Sequence, residues 1–418
     1  IYDHQYSHCD VLVVGGGISG IISAKLSAEK GLDTFLIDDK NFLGGSTIYQ
    51  ENEAYKINDI YSNEWLAKEI KSLKNYPNLI IKNRTSLAAF HGYNYLLARE
   101  NLTDHLSISD RKNKIRQRLW KIRAKKVIIA SGSIERPLIF SNNDRPGIIL
   151  SSSIKKYIDY YGVKTGENIS LFTNNDSAYE TAISLNKSGV KVNVIVDIRK
   201  NSESLIVKEA LDLGLKVLWE STVVETQGYK KIKSFEVMRL SDDGNNVIGN
   251  KTKHNCDCLG ISGGWTPMVH LFTQSGGKLK FRNEDNVFIP DQDKTPPNQI
   301  SVGSCNGEFK LDEIVTRTIE NLKSFLDLSK TCYDEMKINC PDEKSKRNIW
   351  LLPSDKPIGK TKPFLDFQND STAKDVKLAL REGFKSIEHV KRYTTTGMGT
   401  DQGKLSNMHA LGIIADTT

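Results

Sequence analysis

A glycine-rich hexad near the start of the chain constrains the fold more than any other feature. Residues 11–14, Val-Leu-Val-Val, form an apolar, β-branched run typical of a buried parallel strand. The hexad Gly15-Gly16-Gly17-Ile18-Ser19-Gly20 follows at once, and helical spacing then continues to about Lys30. This order of strand, glycine turn and helix predicts a βαβ unit of the dinucleotide-binding kind.

Each glycine of the hexad has a separate physical role. Gly15 allows the tight turn, Gly17 lets the backbone approach a pyrophosphate, and Gly20 lets the helix and strand pack closely. The helix N-terminus, at Ile18 and Ser19, supplies N–H groups and the positive end of a dipole to the anion. We therefore predict a dinucleotide at this first site.

Two further segments extend the predicted first site. A second apolar strand, residues 34–37, ends in Asp38 and Asp39, and Asp38 stands where a ribose-binding carboxylate belongs. The run Gly44-Gly45-Ser46 gives a second place where the backbone can approach a ligand, although an ordinary loop has the same composition.

Later strands lead to the same site. Residues 127–130 are apolar and run into Ser131 and Gly132. In oxidoreductases with two dinucleotide domains, a strand of this kind ends near the cofactor and marks where the chain leaves the first domain. Strands at residues 287–289 and 300–302 return to the first sheet and bring Gly303 to its edge. Ser304 then stands where many flavoproteins of this architecture have an Asp for the ribityl chain. This favours NAD, or an FAD held in an atypical way.

A second βαβ pattern lies between these segments. Residues 169–172 and 192–196 are apolar strands, the second ending in Asp197, and residues 177–188 have helical spacing. The turn at residues 173–179 contains no glycine, and its Asn and Asp side chains obstruct close backbone approach to a pyrophosphate. We predict a Rossmann-like domain here without a tightly bound dinucleotide.

The 418 residues exceed what one hydrophobic core usually supports, which predicts two to three domains. The predicted class is α/β, with two Rossmann-like dinucleotide-binding domains arranged as in glutathione reductase, the second inserted in the first. We place the first domain at residues 1–165 and 276–330, the inserted domain at 166–275, and a C-terminal helical or irregular arm at 331–418.

One segment of the arm is of chemical interest. Residues 373–381 and 386–392 have helical spacing, and a polar, glycine-rich loop at residues 393–404 follows them. Hydroxyls, glycines, an amide and a lysine are concentrated in this loop, among them Thr395, Gln402 and Lys404. The composition suits an anionic ligand such as a flavin phosphate, and it also suits a plain linker.

Composition argues against several other classes. A net charge of +7, with both signs spread along the chain, is a weak signal for nucleic acid, and no apolar run reaches the ~18 to 20 residues of a membrane helix. The 6 Cys include no Cys-x-x-Cys, and the 8 His show no metal spacing, so we predict neither a metal nor a redox dithiol. We identify no catalytic acid, base or nucleophile, and His389 lies in a charged helical segment typical of a surface.

Short motifs spread along the chain carry a family resemblance. They are residues 118–121, 131–137, 173–179, 381–384 and 388–407, with Asn142-Asn143-Asp144-Arg145-Pro146-Gly147, Ser262-Gly263-Gly264-Trp265-Thr266-Pro267 and Phe364-Leu365-Asp366-Phe367-Gln368-Asn369-Asp370. Together they resemble the α subunit of bacterial heterotetrameric sarcosine oxidase over nearly the whole chain. In that family the α subunit carries NAD, a β subunit carries FAD and oxidises the amine, an FMN lies at the α/β contact, and γ and δ subunits complete the complex.

The resemblance implies where the ligands bind. The NAD pyrophosphate and ribose would lie on Gly15, Gly17, Gly20 and Asp38, and the residues around them would be Gly44, Gly45, Ser46, Ser131, Gly132 and Gly303. The flavin would contact residues 394–404. A tetrahydrofolate domain similar to the glycine-cleavage aminomethyltransferase would follow Thr418. We therefore expect the chain to be a piece of a longer cytoplasmic protein. We assign neither folate chemistry nor stand-alone activity to these residues.

Three other functions stay open. The chain suits an FAD-binding α-type subunit of a proline or opine dehydrogenase complex. It also suits a stand-alone NAD(P)H–flavin oxidoreductase, although Ser304, the glycine-free second turn and the missing Cys-x-x-Cys argue against that class. The last alternative is a structural scaffold whose nucleotide is vestigial.

Overall fold

The computed structural model describes residues 2–50, 52, 54–342 and 347–418. The β-strands, in chain order, are β1 (Tyr2–Val14), β2 (Thr34–Ile37), β3 (Lys56–Ile57), β4 (Ile60–Tyr61), β5 (Leu79–Lys82), β6 (Thr85–His91), β7 (Tyr95–Asn101), β8 (Gln117–Ile129), β9 (Ser133–Glu135), β10 (Ile148–Leu150), β11 (Ile169–Thr173), β12 (Val192–Asp197), β13 (Val217–Leu218), β14 (Ser221–Gln227), β15 (Ser234–Leu240), β16 (Val247–Asn255), β17 (Cys258–Ser262), β18 (Trp265–Pro267), β19 (Leu279–Arg282), β20 (Val287–Pro290), β21 (Gln299–Ser301), β22 (Ile338–Asn339), β23 (Phe364–Asp366) and β24 (Ser371–Thr372). The α-helices are α1 (Ile18–Glu29), α2 (Ser62–Ser72), α3 (Ser151–Tyr161), α4 (Ser177–Lys187), α5 (Leu205–Asp212), α6 (His270–Gln274), α7 (Leu311–Leu326), α8 (Ala373–Arg381), α9 (Ile387–Thr394) and α10 (Asn407–Thr417).

The chain divides into two compact units, each made of two segments. Unit 1 is Ile1–Ser133 with Thr266–Pro341, and unit 2 is Ile134–Trp265 with Asp342–Thr418. The sequence placed the start of the inserted domain at residue 166 and treated residues 331–418 as a separate arm. The structure differs because β10 and α3 belong to unit 2, where β10 pairs in parallel with β17, and because most of the arm packs within the same unit.

Unit 1 is built on a seven-stranded sheet in which β5, β2, β1, β8, β7 and β6 are neighbours in that order, with β21 on β8. The β5, β2, β1, β8 and β21 pairings are parallel, whereas β6–β7 and β7–β8 are antiparallel. Strand β1 is much longer than the predicted 11–14, because residues from Tyr2 onward continue the ladder with β8.

The apolar residues of β1 serve two cores because successive side chains of a strand face opposite sides. Val11 and Val13 pack in the core that contains residues of α1 and α7, while Leu12 and Val14 pack with buried residues of β7 and β8. Burial on both faces accounts for the unbroken apolar run that identified this strand. The parallel strands and α1 thus hold the glycine hexad on a rigid edge.

Unit 2 repeats the parallel architecture. Its five-stranded sheet has the order β10, β17, β11, β12, β13, all parallel, and a three-stranded antiparallel sheet of β14, β15 and β16 accompanies it. Leu171 and Ile195 pack with residues of α3, α4 and α5, whereas Phe172 and Val196 pack with Phe235 of the antiparallel sheet. The predicted α/β class with two Rossmann-like domains is confirmed.

The C-terminal part of unit 2 has a core of its own. Leu365, Val376, Val390 and Ile413, from β23, α8, α9 and α10, pack together with Ile139. A capping box between Thr372 and Asp375 begins α8, which matches the predicted helix at 373–381. Helix α10 was not predicted. Among the residues that the structure describes, each helix is too short or too polar to cross a bilayer.

Candidate functional site

Backbone atoms pack closely around the glycine turn of unit 1. Gly15 has φ +106°, and a Cβ placed on it would collide with the carbonyl oxygen of Ala130. A Cβ on Gly20 would collide in turn with the carbonyl oxygen of Gly15. The Gly15 N–H donates to the Ile37 carbonyl at 2.8 Å, which joins the turn to the end of β2. Glycine is therefore required at both positions for steric reasons.

The side-chain position of Gly17 faces open space instead. It is the N-cap of α1, with φ −73°, and no heavy atom comes within 4 Å of a Cβ built there. A glycine N-cap has no side chain with which to cap the first N–H groups of the helix, at Ile18 and Ser19. The backbone here is accessible to an anion, which the predicted pyrophosphate role requires.

The carboxylate at the end of β2 is fixed against the same turn. Asp38 accepts a hydrogen bond from the Gly16 N–H at 2.6 Å through Oδ2 and one from the Lys40 N–H at 2.7 Å through Oδ1. Burial raises the pKa of Asp38, and these two hydrogen bonds act against that rise. Each oxygen keeps a lone pair for a ribose hydroxyl. The neighbouring Asp39 is exposed and pairs with Lys40 at 3.0 Å.

The second glycine run lies directly on the first. The Gly44 N–H donates to the Gly16 carbonyl at 2.7 Å, and a Cβ on Gly45 would be 3.1 Å from the Gly17 Cα. Both residues have positive φ, +121° and +59°. Ser46 follows, exposed, before a short 3₁₀ turn. The two runs together form a cradle lined by backbone.

The ends of β8 and β21 complete this edge. The Ser131 hydroxyl donates to the Met268 carbonyl at 2.8 Å, and the Gly132 carbonyl accepts from the Met268 N–H at 3.0 Å. Gly303 has φ +72°, and a Cβ there would collide with the Ser19 hydroxyl. The structure thus brings every predicted site residue of unit 1 to one sheet edge, and their binding role stays a prediction.

Sequence reasoning missed three contributors to this edge. The buried Leu43 side chain fills the space beside Gly16, where a Cβ would collide with it. Met268 acts through its backbone, and the Thr318 hydroxyl donates to the Ser19 hydroxyl at 3.1 Å. These contacts join segments that are far apart in the chain, so no local sequence pattern predicts them.

The predicted flavin loop lies in unit 2 and is tightly folded. Thr395 and Gln402 both have positive φ, +58° and +54°. A Cβ on Gly397 or Gly403 would collide with the side chain of Asn407, the first residue of α10. The sequence did not predict that the loop leads straight into a helix N-terminus.

One buried hydroxyl and one lysine adjoin this helix start. Ser406 is buried, and its hydroxyl has no hydrogen-bond partner among the residues that the structure describes. Lys404 precedes it by two positions, and its backbone N–H donates to the Asp401 carbonyl at 3.3 Å. The combination of helix N-terminus, buried hydroxyl and lysine suits an anion.

Two cysteines lie at and just before the start of β17. Cys256 and Cys258 are buried, and burial raises the pKa of the first thiol to about 12 and of the second to about 11. Neither is a thiolate near neutral pH. Within residues 2–50, 52, 54–342 and 347–418, no three His, Cys, Asp or Glu side chains group as a metal site.

Two Rossmann-like units, one with a glycine-lined sheet edge, are typical of the fold of dinucleotide-dependent oxidoreductases. Residues 9–305 match the family described as pyridine nucleotide-disulphide oxidoreductase, and the chain belongs to that family. Residues 360–418 match the sarcosine oxidase A3 domain. Over 99% of its length the chain is homologous to sarcosine oxidase subunit alpha, as the motif resemblance predicted.

The relatives are substantially longer than this chain. Sarcosine oxidase subunit alpha of Corynebacterium sp. (strain U-96) is 33% identical over 99% of this chain and 43% of its own length. The Rhizobium meliloti (strain 1021) protein of the same name is 32% identical over 99% of this chain and 40% of its own length. The chain therefore spans less than half of the curated relatives it matches.

A solved structure shares the fold over the full chain. L-proline dehydrogenase from P. horikoshii superposes with a TM-score of 0.69, covering 99% of this chain and 75% of that one at 20% identity. At this identity the likeness establishes the architecture alone.

Proposed function

We propose that the chain is the NAD-binding module of an alpha subunit in a sarcosine oxidase complex. The observation that carries this proposal is the open backbone at Gly17 facing the start of α1, with the fixed Asp38 carboxylate beside it. N–H groups at Ile18 and Ser19 would donate to the pyrophosphate, and Asp38 would accept hydrogen bonds from the adenosine ribose. Bound NAD supplies a hydride acceptor; the residues of this chain bind and orient it.

Ser304 supports NAD over FAD at this site. Flavoproteins of this architecture commonly place a carboxylate here for the ribityl hydroxyls, and a neutral hydroxyl forms a weaker hydrogen bond. The Ser304 hydroxyl is 3.9 Å from a Cβ built on Gly132, so it lies beside the predicted nucleotide edge. FAD in the same site is the alternative, as in an α-type subunit of a proline or opine dehydrogenase.

A flavin phosphate is proposed for the loop of unit 2. Thr395, Gln402 and Lys404 would contact an FMN shared with a partner subunit, and the start of α10 with the Ser406 hydroxyl would face its phosphate. Thr395 and Gln402 have left-handed backbone geometry, which gives the loop a tight shape.

The chemistry proposed for the complex is the oxidative demethylation of sarcosine. Sarcosine, O₂ and tetrahydrofolate would give glycine, hydrogen peroxide and 5,10-methylenetetrahydrofolate, with amine oxidation on FAD in the beta subunit. Gamma and delta subunits would complete the assembly, and tetrahydrofolate would bind outside these residues. We propose a cytoplasmic location, without nucleic-acid or membrane partners.

The test is the nucleotide content of the purified complex. The chain is co-expressed with its partner subunits, denatured, and the released cofactor is identified by mass and absorbance. About one NAD per chain is expected, and the Gly17→Glu variant should lose it because the new carboxylate occupies the open anion position. Gly92→Glu is the matched control, since its Cβ also has no neighbour within 4 Å.

The outcomes separate the competing functions. If the isolated chain releases FAD, identified by its mass, and no NAD, then FAD and not NAD occupies the first site. Retention of NAD by the Gly17→Glu complex would place the nucleotide elsewhere. If a complex without nucleotide oxidises sarcosine at an unchanged rate, the first site has only a structural role.

A further inference from the structure

The turn that opens the second βαβ segment holds a buried carboxylate. Asp176 is the N-cap of α4, at the point where a dinucleotide pyrophosphate lies in folds of this kind. Its side chain is 5% exposed, and Oδ1 accepts hydrogen bonds from Arg199 Nη1 at 2.6 Å and from the Ser202 hydroxyl at 3.2 Å. The chain's own carboxylate therefore takes the place of a bound anion.

The ribose position of unit 2 is also filled. Asp197 ends β12, as Asp38 follows β2, but it is completely buried. Arg199 donates to its two oxygens through Nε at 3.0 Å and Nη2 at 2.7 Å, and the Tyr179 hydroxyl donates to Oδ2 at 2.8 Å. Asp197 thus has both oxygens bound inside the protein and faces no solvent.

Residues from the C-terminal segment lie over the same strand ends. Asn174 donates from Nδ2 to the Arg347 carbonyl at 3.1 Å and to Asn348 Oδ1 at 3.3 Å. Arg347 donates from Nη1 to the Ile198 carbonyl, just after β12, at 3.0 Å. This strap, residues 347–348, crosses the edge at which a nucleotide would enter.

We propose that the nucleotide-binding edge of unit 2 is closed by the protein itself. Asp176 replaces the pyrophosphate, Arg199 neutralises Asp176 and Asp197, and the strap covers the strand ends. A nucleotide would have to displace Asp176 from Arg199 and leave buried charges with fewer partners, which is strongly unfavourable. The chain consequently accepts no NAD(P)H at unit 2, and under the function proposed above a dinucleotide binds through unit 1 alone.

Two tryptophans make this closure measurable. Trp265 donates from Nε1 to the hydroxyl of Ser177, the first residue of α4, at 3.3 Å, and the Trp219 ring stacks on Tyr179. A reduced nicotinamide that entered this edge would quench their fluorescence by energy transfer. If the quenching becomes smaller when Trp265 is replaced by Phe, the bound nicotinamide lies at this edge of unit 2.

The experiment titrates the full chain in the Gly17→Glu background with NADH and then NADPH, up to about 1 mM, the upper end of ordinary substrate affinities. We expect no saturable quenching. Quenching that saturates and shrinks in the Trp265→Phe variant, or a second equivalent of NADH in calorimetry of the unmutated chain, would overturn the closure. If the unmutated chain and the Gly17→Glu variant both bind nothing, the closure holds and the assignment of the first site fails instead.

Discussion

The backbone N–H of Gly16 donates to Asp38 Oδ2 at 2.6 Å, so the middle of the glycine turn and the carboxylate after β2 are bonded to each other. The two parts of the proposed nucleotide contact, the anion turn and the ribose acceptor, are thereby held at one fixed separation. Such preorganisation reduces the ordering cost of binding.

Asp38→Asn should weaken NAD binding about 10- to 100-fold, because the neutral amide forms weaker hydrogen bonds to ribose than the carboxylate, a loss of about 1.5–3 kcal/mol. Calorimetric titration of the chain with NAD measures this change. Asp33→Asn is the control, since that carboxylate is exposed and lies at the opposite end of β2 from Asp38. Equal losses in the two variants would contradict the ribose role of Asp38.

Gly20→Ala and Gly17→Ala should separate stability from binding. The methyl group on Gly20 meets the Gly15 backbone, so we expect a loss of about 1–3 kcal/mol in unfolding free energy. The methyl on Gly17 meets nothing, so stability should be nearly unchanged while nucleotide affinity falls. Thermal denaturation and NAD titration of both variants provide the comparison. A larger stability loss at Gly17 would refute this description of the turn.

Arg199→Met should destabilise unit 2 by about 3–5 kcal/mol, because the buried Asp176 and Asp197 lose their counter-ion. The control is Arg239→Met, which removes a mostly exposed guanidinium from its pair with Glu220 and should cost less than about 1 kcal/mol. Urea unfolding of the two variants measures both values. Similar costs would show that the Arg199 network contributes no more than a surface ion pair.

Glu135→Gln should make unit 2 more stable at alkaline pH. Burial raises the pKa of Glu135 from 4.5 to about 7, against hydrogen bonds that include one of 2.7 Å from the Ser152 N–H to Oε2. A raised carboxyl pKa means that the stability contributed by the protonated form is complete below pH 4.5 and is lost as pH rises through about 7.

The Gln variant escapes that loss while keeping an acceptor for Ser152. Its advantage over the unmutated chain should approach about 3 kcal/mol at pH 8 and shrink toward zero near pH 4.5. Unfolding by urea at several pH values between these limits gives the profile. An advantage independent of pH would show that Glu135 does not titrate in this range.

Much of the first site was predictable because its signals are local. Gly15, Gly20 and Asp38 stand at fixed offsets from an apolar strand, and the steric reasons for them act within a single βαβ unit. The extension of β1 back to Tyr2 was not predictable, since its exposed and half-buried side chains alternate without an apolar stripe.

The features that the sequence did not predict depend on contacts between distant segments of the chain. The glycine-free turn predicts a poor nucleotide site in unit 2, but the contacts of Arg199 and Arg347 that we propose close it require positions that only the folded chain brings together. The division into units differed for the same reason, because β10 belongs to the sheet of β17, which lies far along the chain.

The discontinuity of unit 2 also affects its folding during synthesis. Ile139 completes its core only with Val390 and Ile413, which leave the ribosome much later. At about 5–20 residues per second, Ile139 waits roughly 14 to 55 seconds for Ile413, with apolar surface uncovered while the intervening residues are made. We expect the nascent chain to be prone to aggregation in this interval, so a chaperone that shields this surface during elongation would raise the yield of folded protein.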